Sequence, residues 1–203
     1  EPSFASIPEI TTGSCWRRDT KGTVLADRIC VDFVQTLSTD EGCWVGSSAK
    51  LMALVLSEAA SSRYVPTRPF RVNAGPVHSY ILMGDSTTKY LCELQPSDQV
   101  LVYNTHTNSS RAVAVGRLKE EVRPCVLVEL EAGPRSRGQV FLQQAETVRL
   151  GRPSSGNFVR VTDLEAQSGS SDNTNHNTEP VLLRVMNTGT HVGKVYTGKV
   201  EER

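Results

Sequence analysis

The sequence predicts an all-β protein, barrel- or sandwich-like, with an internally duplicated β unit and at most one short helix. Three observations carry this expectation. Short runs of β-branched and apolar residues recur from Thr23 onward, as they do in sandwiches and barrels. The segments between them hold turn formers, at Gly84-Asp85-Ser86, Gln95-Pro96-Ser97-Asp98, Asn108-Ser109-Ser110 and Gly133-Pro134-Arg135, which supply the φ angles and local hydrogen bonds that reverse a chain. Finally, Val115–Glu121 is echoed by Thr197–Glu202, each copy reading Gly-basic-apolar and ending on paired glutamates; such an echo signals a repeated unit.

Taken in order, the expected strands lie near Val24–Phe33, Val77–Met83, Tyr90–Leu94, Val100–Tyr103, Ala112–Lys119, Cys125–Leu130, Val140–Leu150, Val159–Val161, Val181–Met186 and Lys194–Val200. Residues 1–22 read as an extended N-terminal arm, residues 23–92 as a first β region, and residues 93–203 as the duplicated units. Ser47–Ala60 is the one helical candidate. Its unbroken Leu51–Leu56 run fits a buried strand equally well, so periodicity leaves both open. In the first copy Glu93-Leu94 precedes a turn and Val100-Leu101-Val102; in the second Asp163-Leu164 precedes a linker and Val181-Leu182-Leu183. The Leu164 to Gly198 spacing exceeds the Leu94 to Gly116 spacing by the length of 168–179, a polar stretch without an apolar residue. That stretch reads as a surface insertion, with His176 in it solvated.

Composition narrows the functions. Twenty-two basic residues balance 22 acidic ones, so no net positive field gathers phosphates at a distance, which argues against nucleic acid as a partner. The longest apolar run is far shorter than the roughly 20 residues of a membrane span, so no such span is expected. Cys15, Cys30, Cys43, Cys92 and Cys125 are odd in number and include no Cys-x-x-Cys pair. They read as reduced core residues in a reducing compartment rather than as a disulfide framework or zinc site.

The chemistry-bearing residues concentrate in Thr67–Tyr80 and just beyond. Arg68 and Arg71 offer planar forks for a small carboxylate or phosphate, and Asn73 adds an amide. His78 titrates near neutrality and suits general acid-base work. Lys89 and Glu93 share one strand face if the period is two. The bland alternative has the arginines paired with surface acids, Asn73 capping a turn and His78 in the core. Asp32, Glu41 and Glu58 with His78 form a candidate divalent-metal set, although their spacing matches no metal motif. His191 sits between glycines, where it could close over a site or simply turn the chain. No glycine-rich dinucleotide or P-loop signature occurs.

Arg68-Pro-Phe-Arg-Val-Asn-Ala-Gly-Pro-Val-His78, then Lys89-Tyr-Leu-Cys-Glu-Leu94, then Gln143-Gln-Ala-Glu-Thr-Val-Arg149 resemble the type II 3-dehydroquinate synthases. This family is related to the aminohydroxybenzoate synthases. The likeness begins near Ala26–Asp32 and runs to His191-Val192-Gly193, but covers only the C-terminal half of such an enzyme. It implies NAD-dependent oxidative deamination and ring closure of a seven-carbon amino keto compound in the shikimate pathway, with NAD bound mainly outside this chain. By the same resemblance Arg68, Arg71 and Asn73 hold the substrate, His78 moves protons, and Lys89 with Glu93 assists loss of the amine. Leu56 stands where the family pattern leads one to expect histidine, and Ser97-Asp98 replaces a Gly-Asp turn.

Two readings follow. In the first the chain is the C-terminal domain of a working oxidoreductase. In the second it is a non-catalytic homologue recruited as a structural or binding subunit of a larger assembly, its N-terminal arm lying along other protein subunits. Divergence from the archaeal pattern and a non-Met start point to a processed plastid protein, with the cytoplasm as the alternative.

Overall fold

Leu51–Leu56 folds as a strand, and the reason decides the ambiguity left by periodicity. Alternate residues enter two different apolar clusters: Leu51, Ala53 and Val55 face the main core, while Met52, Leu54 and Leu56 face a second cluster with Trp44, Tyr80, Leu82, Tyr103 and Leu182. A strand covered on both faces has no polar side to alternate with. Its helix-favouring composition is therefore overridden by packing.

The computed structural model describes residues 9–18, 22–167 and 178–186, and the backbone alone of Thr190–His191 and Lys194–Val195. The strands are β1 (Glu9–Arg18), β2 (Val24–Phe33), β3 (Glu41–Ser48), β4 (Leu51–Leu56), β5 (Arg71–Pro76), β6 (Tyr80–Leu82), β7 (Thr88–Tyr90) and β8 (Gln99–Asn104). They continue with β9 (Ser109–Glu131), β10 (Arg137–Gln143), β11 (Arg149–Gly151), β12 (Phe158–Arg160), β13 (Ala166–Gln167), β14 (Glu179–Val185), β15 (Thr190–His191) and β16 (Lys194–Val195). Two 3-10 turns, Leu91–Glu93 and Val161–Asp163, are the helical elements among the described residues. The all-β expectation holds.

Hydrogen-bonded neighbours close into a ring, β4–β14–β1–β9–β8–β3 and back to β4, which gives the sheet its barrel-like closure. The 23-residue β9 is the common spine. It pairs with β8 over Ser109–Ala114, with β2 from Val115 to Cys125, with β10 from Cys125 to Glu131, and with β1 over Val128–Glu131. Two expected strands are thus one. The sheet runs through all three regions drawn from the sequence, since β1 pairs with β14 and β9, β2 with β9, and β4 with β14.

The N-terminal arm needs correcting from its first described residue. Glu9–Arg18 is not free to lie along a partner: it is β1, inserted between β14 and β9 and joined in parallel by β13. Further strands escape the sequence reading, and two of them matter for the site. β3 is buried on both faces, and β5 carries Arg, Asn, Gly and Pro that read as turn chemistry. The expected strand at Tyr90–Leu94 is largely the first 3-10 turn, and Val140–Leu150 divides into β10 and β11. Residues 168–177, with His176, and Thr197–Glu202 lie outside the described residues.

Around the β3–β4 hairpin the chain performs one manoeuvre twice. β6–β7 is a hairpin that joins β3, and β11–β12 is a hairpin that joins β4. Each is followed at once by a 3-10 turn whose first residue donates its N–H to the residue just before the hairpin, Leu91 to Ser79 O (2.8 Å) and Val161 to Val148 O (3.0 Å). Buried Leu94 and Leu164 close the two turns. β8 then pairs antiparallel with β3, and β14 antiparallel with β4.

Candidate functional site

The segment carrying most of the candidate residues starts where β4 ends. Glu58, buried after β4, donates its backbone N–H to Arg71 O (2.8 Å) and accepts the Arg68 N–H on its carbonyl (2.8 Å). This two-ended clamp, an isolated β-bridge, brings Arg68 and the start of β5 together. The Arg68 guanidinium reaches the Glu58 carboxylate at 3.4 Å and stays about a third exposed. Such a long, partly solvated pair leaves the Arg68 fork open to another acceptor.

Arg71 is placed very differently. It stands opposite Asp32 in the β2–β5 register and grips that carboxylate with both branches, Nε to Oδ1 at 2.7 Å and Nη2 to Oδ2 at 2.9 Å. Arg117, from β9, binds Asp32 Oδ2 from the other side at 2.5 Å. Burial pushes the Asp32 pKa up, but the hydrogen bonds from Arg71 and Arg117 outweigh it and hold the carboxyl below the usual range; the same partnership holds Arg71 above its own.

On the same face of β5, Asn73 donates Nδ2–H to Gln143 Oε1 at 2.8 Å, while its own buried Oδ1 has no partner. Gly75 adopts φ +105, and a Cβ there would come within 2.5 Å of Phe141 O. Only glycine allows both this backbone and this approach. His78, beyond the far end of β5, is exposed and sets its ring at 77° to Phe141 with centroids 5.8 Å apart. The partial burial given by that contact lowers its pKa.

The expected set therefore separates. Arg68 meets Glu58 through its guanidinium and Arg71 through its backbone carbonyl, while the Arg71 guanidinium is taken by Asp32. His78 lies at the opposite end of β5, beside the turn where Cys92 N–H bonds Val77 O (3.2 Å). Lys89 is held by Asp98 at 2.9 Å. Glu93 turns back to accept the Tyr90 N–H at 2.9 Å, so its carboxylate caps the 3-10 turn. The candidate metal set does not assemble: Asp32 belongs to Arg71 and Arg117, Glu41 to Arg111 at 2.7 Å, and Glu58 to Arg68. Among the described residues no three His, Cys, Asp or Glu side chains gather as metal ligands. Only the backbone of His191 is described, in the β15–β16 hairpin.

Residues that had drawn no assigned role complete the arrangement. Arg149 is fully buried on β11 and donates to Ala60 O and Ser61 O, both at 3.2 Å, with its guanidinium 5.1 Å from the Phe158 ring centroid. Tyr64 N–H bonds Glu146 Oε1 at 3.2 Å. The Gln143–Arg149 stretch thus anchors both the loop leading to Arg68 and the middle of β5. Its presence among the resembling segments was the available signal. Leu56 is 3% exposed, a core residue. Cys15, Cys30, Cys43 and Cys125 are free and buried, and burial pushes Cys15 up to about 12 and Cys30 and Cys125 up to about 11. Such thiols are unreactive.

Among the described residues no glycine-rich turn opens a helix. No described helix is long and apolar enough to cross a membrane.

Comparison with known proteins gives the geometry its context. The sequence profile of the 3-dehydroquinate synthase II C-terminal domain matches residues 18–203. A 3-dehydroquinate synthase of Methanocorpusculum labreanum is 48% identical over 140 residues, covering 69% of this chain and 39% of that protein. A 3-dehydroquinate synthase of Methanopyrus kandleri is 47% identical over 140 residues, covering 68% and 34%. A 3-dehydroquinate synthase homolog of Aquifex aeolicus is 40% identical over 178 residues, covering 88% and 48%. The chain spans less than half the length of each of these relatives. No solved structure matches. With a profile match across nearly its whole length, the chain belongs to the 3-dehydroquinate synthase II C-terminal domain family.

Proposed function

We propose that this chain acts as the C-terminal, substrate-handling domain of a type II 3-dehydroquinate synthase, in which NAD-dependent oxidative deamination and ring closure are completed with residues outside it. One observation carries the reading. The Arg68–His78 segment packs against the end of β10, where the Gln143–Arg149 segment begins, through Asn73 and Gln143, Gly75 and Phe141, and His78 and Phe141.

Arg68 is the guanidinium with donors to spare, suited to a substrate carboxylate. Asn73 offers its unfilled Oδ1 as an acceptor. His78, with its lowered pKa, is mainly neutral at neutral pH and can accept a proton. Arg71 is a positioning residue held by Asp32, while Lys89 and Glu93 act on the 3-10 turn and its flanks. NAD is assigned to the part of the enzyme beyond this chain, because hydride transfer needs the nicotinamide held in a fixed pose.

The second reading, a structural or binding subunit, is favoured by Leu56 alone, which is packed as core where histidine was expected. The experiment exchanges the C-terminal domain of the Methanocorpusculum labreanum relative for this chain and follows absorbance of reduced cofactor with the amino keto substrate. Turnover in the chimera that falls at least tenfold with Arg68→Ala supports the enzyme reading. A folded chimera without turnover supports the subunit reading. The isolated 203-residue chain is expected to give none.

A further inference from the structure

The start of β2 and the middle of β9 form a ribbon that runs past the core. Leu25 stands opposite Pro124, Asp27 opposite Val122, Ile29 opposite Glu120 and Val31 opposite Leu118, and residues two apart on a strand share a face. At the inner end of this face Ile29 and Val31 are in the main core and Leu118 packs against it. At the outer end Leu25 and Val122 are 71% and 62% exposed. β5 joins the β2 ladder from Arg28 onward, so among the described strands β9 is the one that pairs with residues 25–27. The two faces of the ribbon differ. On one, Glu121 is held by Arg28, Lys119 and Arg123, so its charges satisfy one another. On the other, Leu25, Val122 and exposed Pro124 make an apolar patch with the exposed acids Asp27 and Glu120 beside it. Apolar groups gathered in the open within a polar rim mark an interaction site.

A second copy of the chain is a poor occupant, because face-to-face contact would set Asp27 and Glu120 of each copy against those of the other, and like charges brought together at an interface are costly. A partner offering apolar side chains flanked by lysine or arginine fits. The relatives indicate its source. The matching profile is that of a C-terminal domain and begins at residue 18, where β1 ends and the chain turns into β2, and more than half of each relative lies outside the matched part. In a full-length member the residues that precede the domain therefore arrive beside the base of this ribbon. We propose that the Leu25–Val122 face docks the upstream part of a type II 3-dehydroquinate synthase, through apolar side chains flanked by basic ones. The proposal rests on reading the chain as the C-terminal domain of that enzyme, and it names the surface through which the residues outside the chain join it.

The test is hydroxyl-radical labelling read by mass spectrometry, on the 203-residue chain and on the chimera in which it replaces the C-terminal domain of the Methanocorpusculum labreanum relative. In the chain alone, exposed Leu25 and Val122 should label and buried Leu54 should not. In the chimera, labelling of Leu25 and Val122 is expected to fall by about tenfold, because the centre of an interface excludes water, while Leu54 stays protected and reports a folded domain. Leu25→Lys combined with Val122→Lys should leave the Tm of the chain nearly unchanged, as for exposed positions, and lower that of the chimera by several degrees. Equal labelling of Leu25 and Val122 in chain and chimera overturns the proposal. So does protection that develops in the chain alone as its concentration rises, which marks a self-interface. Protection without turnover keeps the docking surface and sinks the enzyme reading, whereas turnover without protection does the reverse. If the chimera does not fold, the intact relative is labelled instead: protection of its segments aligned with 24–27 and 120–124 supports the surface, and free labelling of them overturns it.

Discussion

Two arginine–carboxylate pairs lie three residues apart in the chain and behave as opposites. Arg71 and Asp32 are nearly buried, bidentate and reinforced by Arg117; Arg68 and Glu58 touch once, at 3.4 Å, with the guanidinium about a third exposed. Side-chain chemistry is the same in both, so the difference comes from the backbone. Arg71 sits inside the β2–β5 ladder directly opposite its acid, whereas Arg68 is outside it, on a bridge formed with the residue it pairs with. A ladder fixes an ion pair and thereby makes it structural. A single bridge holds the fork in place and leaves its donors available.

Substitutions can break this contrast. The largest effect is expected for Arg71→Ala, which strips a nearly buried carboxylate of its principal partner; Arg117 compensates in part, so a loss of about 3 kcal/mol by urea unfolding is expected, at the low end for a broken buried pair. A loss below about 1 kcal/mol would place Arg71 in the same class as Arg68.

Acid titration should sharpen the contrast next. The folded pKa of Asp32 lies below its unfolded value of about 3.9. The stabilisation it supplies is therefore complete above that value and lost as pH falls through the folded pKa. Asp32→Asn should flatten this acid limb in stability measured from pH 5 downward, while Glu58→Gln leaves it in place. The smallest effect on stability belongs to Arg68→Ala, within about 1 kcal/mol of the parent as for exposed pairs. Its consequence should appear in the turnover of the chimera.

Much of the fold was legible in the sequence where strands alternate or are long. β2 was bounded to the residue, and β8 and β14 to within two residues at either end. β3 was missed because Glu41-Gly-Cys-Trp-Val-Gly-Ser-Ser is buried on both faces and shows no alternation. β5 was missed because Arg, Asn, Gly and Pro are turn formers in isolation; what makes them a strand is Asp32, 39 residues upstream. The same long-range fact hid the division of labour in the site. Residue type places Arg68 and Arg71 together as anion binders, and only the cross-strand partner tells which is already satisfied. Lys89 and Glu93 have nearer partners: both are engaged within nine residues, in turns whose geometry composition does not specify.

β9 has a consequence for how the protein is made. Its 23 residues supply edges to β1, β2, β8 and β10, so during synthesis β1 and β2 must wait until β9 leaves the ribosome before their ladders on it can form. Closure of such long loops before any contact rewards it slows folding. In the interval β2 and the apolar Leu51–Leu56 run are open to pairing with other chains. Premature termination before Ser109 should therefore yield aggregates rather than a smaller domain.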